Sequence, residues 1–183
     1  FPKGGALDLI REIKANPGKY NFGSSGIGTY PHLSAEMFKW RAGGLFVVHI
    51  PYRGTGLVIT DLVAGQIAFL MDSIVSAQPH IKDGKVRALA VTGAKRSSSL
   101  PDVPTMTELG YPQAQFVGWI GLIGPAKLPP EELSKIQAAM KKAMSTPAMQ
   151  QKLVDAGLEP EVNVDSAALA KETREMYERN AGI

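Results

Sequence analysis

The chain contains no cysteine. Disulfides, thiol nucleophiles and cysteine-based metal centres are thereby excluded. Only three histidines are present, His32, His49 and His80, and their scatter gives no metal-ligand spacing, so no metal is expected. Apolar runs long enough to span a bilayer are also missing. The net charge is only +3, and basic residues adjoin only at Lys95-Arg96 and Lys141-Lys142. The electrostatic footprint of a nucleic-acid binder is absent, so no nucleic-acid partner is expected.

What is present is the composition of a packed protein. Among 183 residues, 44% are hydrophobic and 20% charged, enough for one ordinary domain or one and a half small ones. Helical and extended patterns alternate along the first half. Leu7, Leu9, Ile10 and Ile13 form a helical stripe stopped by Asn16-Pro17-Gly18. Asn21-Phe22 reads as a short strand. Leu33, Met37, Phe38 and Trp40 give a helix ended by Gly43-Gly44, and residues 46–50 a buried strand. A helix through Leu57, Ile59, Leu62 and Val63 follows, then a strand over 67–71, a helix from Ile74 to Lys82, and a fourth strand over 86–92. This order predicts an α/β fold with a mainly parallel sheet and helices on both faces.

Beyond Lys95 turn formers dominate as far as Pro112, followed by an apolar stretch over 116–123 that ends at Gly124-Pro125. The last third reads as helices over 131–144, 148–156 and from an Asp165 cap to Arg179, with a short extended piece over 161–164. It has almost no sheet of its own.

The chemistry concentrates in Gly23-Ser24-Ser25-Gly26-Ile27-Gly28-Thr29, between the first strand and the second helix. Free N–H groups at a helix start, together with the helix dipole, favour an anion. Gly26 and Gly28 let the backbone approach a ligand; Ser24, Ser25 and Thr29 add hydroxyls, one of the two serines being expected to be structural. Three better-known loops fail here. Thr29 stands where a phosphate loop needs lysine, Pro31 where a dinucleotide fingerprint needs its third glycine, and Ile27 where a nucleophile elbow needs glycine. In a parallel sheet ligands bind beyond the carboxyl ends of strands, so residues 51–55 and Asp72-Ser73 are expected to share an edge with this loop. Arg53 could pair with a carboxylate, whereas Asp72 would repel one and suits a loop N–H or a ligand ammonium.

Four stretches together resemble one family: residues 15–26 (ANPGKYNFGSSG), 48–54 (VHIPYRG), 87–92 with 100–105 (RALAVT and LPDVPT), and 118–126 (GWIGLIGPA). In this order and spacing they are similar to the Bug family of periplasmic solute-binding proteins, receptors of tripartite tricarboxylate transporters. The resemblance implies a type II periplasmic-binding-protein fold, a two-lobed Venus flytrap. It implies capture of a small carboxylate without a cofactor, a membrane permease as partner, and export to the periplasm of a Gram-negative bacterium; a monomer is expected. It also implies that a signal peptide and the first part of lobe one belong before Phe1. Residues 1–16 would then end lobe one, 17–117 would be the ligand-binding lobe two, and 118–183 a hinge strand and helices returning to lobe one. The implied ligand contacts are Ser24, Ser25, Gly26, Gly28 and Thr29, the turn Tyr52-Arg53-Gly54, and Asp72 with Ser73. The family often has lysine at the position of Arg53 and Asp-Asn at Asp72-Ser73.

Two other readings stay open on the residues alone. One is an α/β enzyme acting on a small acid or ester, with a loop serine as nucleophile and His32 as base. The other is a ligand-sensing receptor without a transport role.

Overall fold

The structure, a computed structural model, describes residues 4–161 and 166–180. The chain divides into two units, the first ending at Gly118 and the second beginning at Trp119.

In the first unit, α1 (Ala6–Ala15) buries Ala6, Leu9, Ile10 and Ile13 along one face, while Leu7 points outward. The helix stops at Asn16, because Pro17 supplies no N–H and restricts its predecessor. Three parallel strands follow, β1 (Asn21–Ser24), β2 (Val48–Pro51) and β3 (Phe69–Leu70), in the order β2-β1-β3. Parallel neighbours require crossovers, supplied by α2 (Tyr30–Arg41) and α3 (Thr55–Val63). A fourth helix, α4 (Ile74–Lys82), leaves β3.

Side chains alternate across β1, so its two faces bury different layers. Phe22 packs with Leu9, Ile10 and Ile13 of α1, Phe38 of α2, and Val47 and Phe69. Gly23 lies on the other face, against Val58 of α3 and Ile67. Helices therefore cover both sides of the sheet, as the alternating pattern predicts.

The strands are shorter than the apolar runs suggest, for local reasons. Phe46 is exposed and its carbonyl accepts from the Gly18 N–H at 2.9 Å, so pairing begins only at Val48. At β3 the Asn21 side chain joins the main-chain pairing: Ala68 N–H is shared between the Asn21 carbonyl at 3.2 Å and its Oδ1 at 2.9 Å, and its Nδ2 donates to the Gln66 carbonyl at 3.0 Å. Residues 86–92 are not a fourth strand. They make one bridge, Val91 to Thr105, in which the Val91 N–H donates to the Pro104 carbonyl and the Val91 carbonyl accepts from the Met106 N–H. Leu89 and Ala90 still pack on the core, so the apolar pattern reports burial there and not a ladder. Trp40 and Leu57, expected on helix inner faces, are exposed.

Residues 117–123 form no strand either; Val117, Ile120, Leu122 and Ile123 are exposed and find no ladder partner among the described residues. The second unit contains α5 (Pro130–Met144), α6 (Pro147–Asp155) and α7 (Ser166–Asn180). Proline opens α5 and α6, and α5 carries Glu131 and Glu132 in its first turn and Lys141 and Lys142 in its last, complementing its dipole. The extended residues expected at 162–164 and the Asp165 cap lie outside the described residues. Among those described, no helix is long and apolar enough to cross a membrane.

Candidate functional site

Because β1, β2 and β3 run parallel, their carboxyl ends lie on one edge of the sheet. Each end turns directly into a helix. The β1 loop reaches α2 at Thr29, the β2 turn reaches α3 at Gly54, and β3 reaches α4 at Ser73, these three residues being the caps. Three helix N-termini, with their positive dipole ends, therefore gather at the edge where α/β sheets bind ligands.

The first two loops are bonded to each other. Tyr52 N–H donates to the Ser24 carbonyl at 2.9 Å, and Gly54 N–H to the Ser25 carbonyl at 3.3 Å. Inside the first loop, Thr29 Oγ1 donates to the Gly26 carbonyl at 2.6 Å and accepts from Ser25 Oγ at 3.3 Å. Gly26 has φ +140°, a backbone region closed to ordinary residues, which lets the chain pass beside the Tyr52 carbonyl.

Ser24 is the structural serine of the pair. It has no exposed surface, and its hydroxyl meets His49 Nε2 at 2.7 Å, the Gly26 carbonyl at 3.1 Å and the Gly26 N–H at 3.2 Å. His49 stacks between Phe22 and His32, with ring centroids 4.7 and 4.3 Å away. Burial, then the neighbouring His32, hold the His49 imidazole below the usual histidine range. Ser24 and His49 have the spacing of a nucleophile and a base, but the hydroxyl is sealed from any substrate, and no carboxylate among the described residues hydrogen-bonds His49.

Gly28 donates its N–H to His32 Nδ1 at 3.1 Å, and Thr29 its N–H to the Gly26 carbonyl at 3.4 Å. Both donors expected to face a ligand thus have acceptors within the protein. Ser25 is half-buried and Ile27 forms an exposed tip, 77% accessible. In the second loop Tyr52 donates its hydroxyl to Asp61 Oδ2 at 2.7 Å, which raises the phenol above its usual range. Arg53 is exposed and makes no hydrogen bond or ion pair among the described residues.

At the third loop Asp72 is partly buried. Its Oδ1 accepts Ser73 N–H at 2.8 Å and its Oδ2 accepts Ser76 Oγ at 2.7 Å. Burial raises its carboxyl above the usual carboxylate range, and these two bonds offset only part of that. Ser73 Oγ lies 2.8 Å from Ser76 Oγ and caps α4 through Ser76 N–H at 3.4 Å. Tyr30 comes close to the same group. Burial, with a smaller contribution from the Asp72 charge, raises its phenol, whose hydroxyl bonds to Thr92. Tyr30 also packs on Phe116, with ring centroids 5.2 Å apart.

Sequence reasoning missed Ser76, Asp61 and Thr92, and singled out His32 only as the base of the enzyme alternative, not as the acceptor of the Gly28 N–H. His32 lies four residues after Gly28 and Ser76 three after Ser73, spacings at which a side chain reaches back to a helix start. Asp61 and Thr92 carry no local signal, because the chain brings them in from separate elements. No group of three acidic or histidine side chains suited to a metal occurs among the described residues.

The family model described as the tripartite tricarboxylate transporter family receptor matches residues 1–183. Protein BugT of Bordetella pertussis is 32% identical over 152 residues, covering 83% of this chain and 46% of BugT. A Rhodopseudomonas palustris protein solved with adipate superimposes with a TM-score of 0.92 at 26% identity, covering all of this chain and 61% of that one. MatC from Rhodopseudomonas palustris, solved with bound malate, gives a TM-score of 0.89 at 27% identity, covering 98% of this chain and 61% of MatC. The chain spans about half the length of several of the curated relatives it matches.

Proposed function

The chain belongs to the tripartite tricarboxylate transporter receptor family, with a periplasmic-binding-protein fold, and from that premise we propose that it binds a small carboxylate at the carboxyl edge of its sheet. The observation that carries this is the gathering of three helix N-termini, capped by Thr29, Gly54 and Ser73, around loops bonded to each other. Such an edge gathers positive dipole ends without a fixed cation, which suits a carboxylate group. The adipate and malate held by the two structural neighbours have this chemistry.

In this reading Ser25, Gly26, Gly28 and Thr29 form the donor loop, and Tyr52, Arg53 and Gly54 the opposing turn. Arg53 is the exposed cation that closes on a carboxylate oxygen. Asp72 with Ser73 sets the far wall, disfavouring a second anionic group there and accepting a hydroxyl or ammonium. Ser24 supports the loop from within. Residues 17–117 act as the ligand-binding lobe, on which α1 packs through Leu9, Ile10 and Ile13, and 118–183 belong to the hinge and the other lobe. The protein works in the periplasm as a monomer, delivers its ligand to a membrane permease, and binds without turnover; the sealed Ser24–His49 pair supports binding over hydrolysis.

Calorimetry against malate, succinate, adipate, aspartate, phosphate and a nucleotide tests the reading. Heat of binding and a raised melting temperature with one or two carboxylates are expected, and none with the nucleotide. Turnover of an ester, or binding of phosphate and nucleotide in preference to every carboxylate, would sink it.

A further inference from the structure

We propose that His32 is a positioning residue that gates the donor loop: its neutral ring withholds the Gly28 N–H, and its protonation releases that donor and sets a positive charge beside it. The inference rests on reading the carboxyl edge as an anion site.

Nδ1 of His32 accepts the Gly28 N–H at 3.1 Å, and a ring nitrogen that accepts carries no proton. The ring is not free to swing away. It stacks on His49 with centroids 4.3 Å apart and planes 23° apart, and His49 stacks on the buried Phe22. His49 is fixed in turn by Ser24 Oγ. A column of rings therefore runs from the core to the loop and ends on one main-chain donor of the candidate site.

The charged groups facing this column are few. From α2 come Glu36 and Lys39, which pair with each other at 2.7 and 2.8 Å; from β2 comes His49 itself. The β1 neighbours, Phe22 and Ser24, do not titrate near neutrality, and neither do Ser25 and Thr29 of the loop. His49 is held below the usual histidine range by burial and by His32.

A proton on His32 Nδ1 turns the acceptor into a donor, and it then faces a second donor. Gly28, at φ +77° with open space around its Cα, has the backbone freedom to turn its N–H away. A released N–H and a new positive charge both favour an anion. Anion binding is thereby coupled to proton uptake, so affinity rises as pH falls, by no more than about tenfold per pH unit for one proton.

The test combines two measurements on the full chain between pH 8.5 and 6, where malate stays predominantly dianionic. Amide NMR follows Gly28 and the His32 ring protons, and calorimetry follows the Kd for malate. In the wild type the Gly28 amide is expected to move with the same midpoint as His32. Malate should bind roughly fivefold more tightly at the acid end, the fold-change of one neutral hydrogen bond. His32→Asn keeps an acceptor at the place of Nδ1 but cannot titrate, so its Kd should be independent of pH and remain at the weak value. His32→Ala should leave Gly28 released, with a Kd equally independent of pH. A Gly28 amide that ignores the His32 titration in the wild type overturns the gate without recourse to any variant. So does a Kd whose pH profile survives His32→Asn. If Gly28 follows His32 but malate binds at no pH, the gate stands and the carboxylate reading falls.

Discussion

The Ser24 hydroxyl and the His49 imidazole meet at 2.7 Å between β1 and β2, and the serine has no surface left for anything else. This bond ties the donor loop to the ring column below it. Ser24→Ala strands His49 Nε2 and the Gly26 N–H in a water-poor setting, so a loss of about 1–3 kcal/mol of stability is expected. His49→Phe keeps a ring on Phe22 but removes the same bond. Chemical denaturation of the two single variants and the double variant should show costs that do not add. Additive costs would mean that the bond contributes nothing of its own.

Gly23 is fixed by packing. A Cβ there would collide with Val58 Cγ2 and lie 2.6 Å from Ile67 Cδ1, and both partners are buried. Gly23→Ala should cost about 1–3 kcal/mol as an overpacked core substitution. Reducing the opposing volume with Val58→Ala in the same chain should recover part of that loss. Denaturant midpoints of the three variants decide it, and no recovery would place the strain elsewhere.

The sequence made the helices and the donor loop legible because both are local. The stripe Leu9, Ile10, Ile13, the stop at Asn16-Pro17 and the glycine-serine loop each state their conformation within a few residues. Pairing is not local, and composition does not specify it. Residues 86–92 have a strand's composition, but whether Val91 meets a sheet or only Thr105 depends on segments far along the chain. The site divides the same way. Thr29, Gly54 and Ser73 were found because parallel topology brings the strand ends together. Asp61 behind Tyr52 and Thr92 behind Tyr30 were not, since each pair joins different elements.

Arg53 separates binding from stability. It is exposed and makes no hydrogen bond or ion pair among the described residues, so Arg53→Gln should leave the melting temperature unchanged. If it closes on a ligand carboxylate, the same variant should weaken malate binding by about ten- to a hundredfold, the range of a charge-assisted hydrogen bond. Arg53→Lys should fall between, because lysine keeps the charge but loses the planar fork. Calorimetry at two salt concentrations checks both points. An unchanged Kd in Arg53→Gln would remove this residue from the site.

Asp72 predicts a pH effect of defined sign. Its carboxyl lies above the usual carboxylate range because burial outweighs the bonds from Ser76 and Ser73. The native state therefore holds this proton more tightly than the unfolded chain. Ionised Asp72 costs stability at neutral pH, and the cost is relieved as pH falls through the raised native value toward the unfolded one. Asn at this position can accept Ser73 N–H through its oxygen and donate to Ser76 Oγ through its nitrogen, so Asp72→Asn should keep the local bonds. Two outcomes are expected from melting curves between pH 7 and 4. The variant should be at least as stable as the wild type at pH 7, and its advantage should shrink toward pH 4. A variant less stable at pH 7 would show that the carboxylate is needed as an ion by the fold. The same substitution separates ligand classes, since removing a negative wall should strengthen malate binding and weaken the binding of aspartate, whose ammonium loses its counter-charge. Should both ligands respond alike, Asp72 faces the loop and not the ligand.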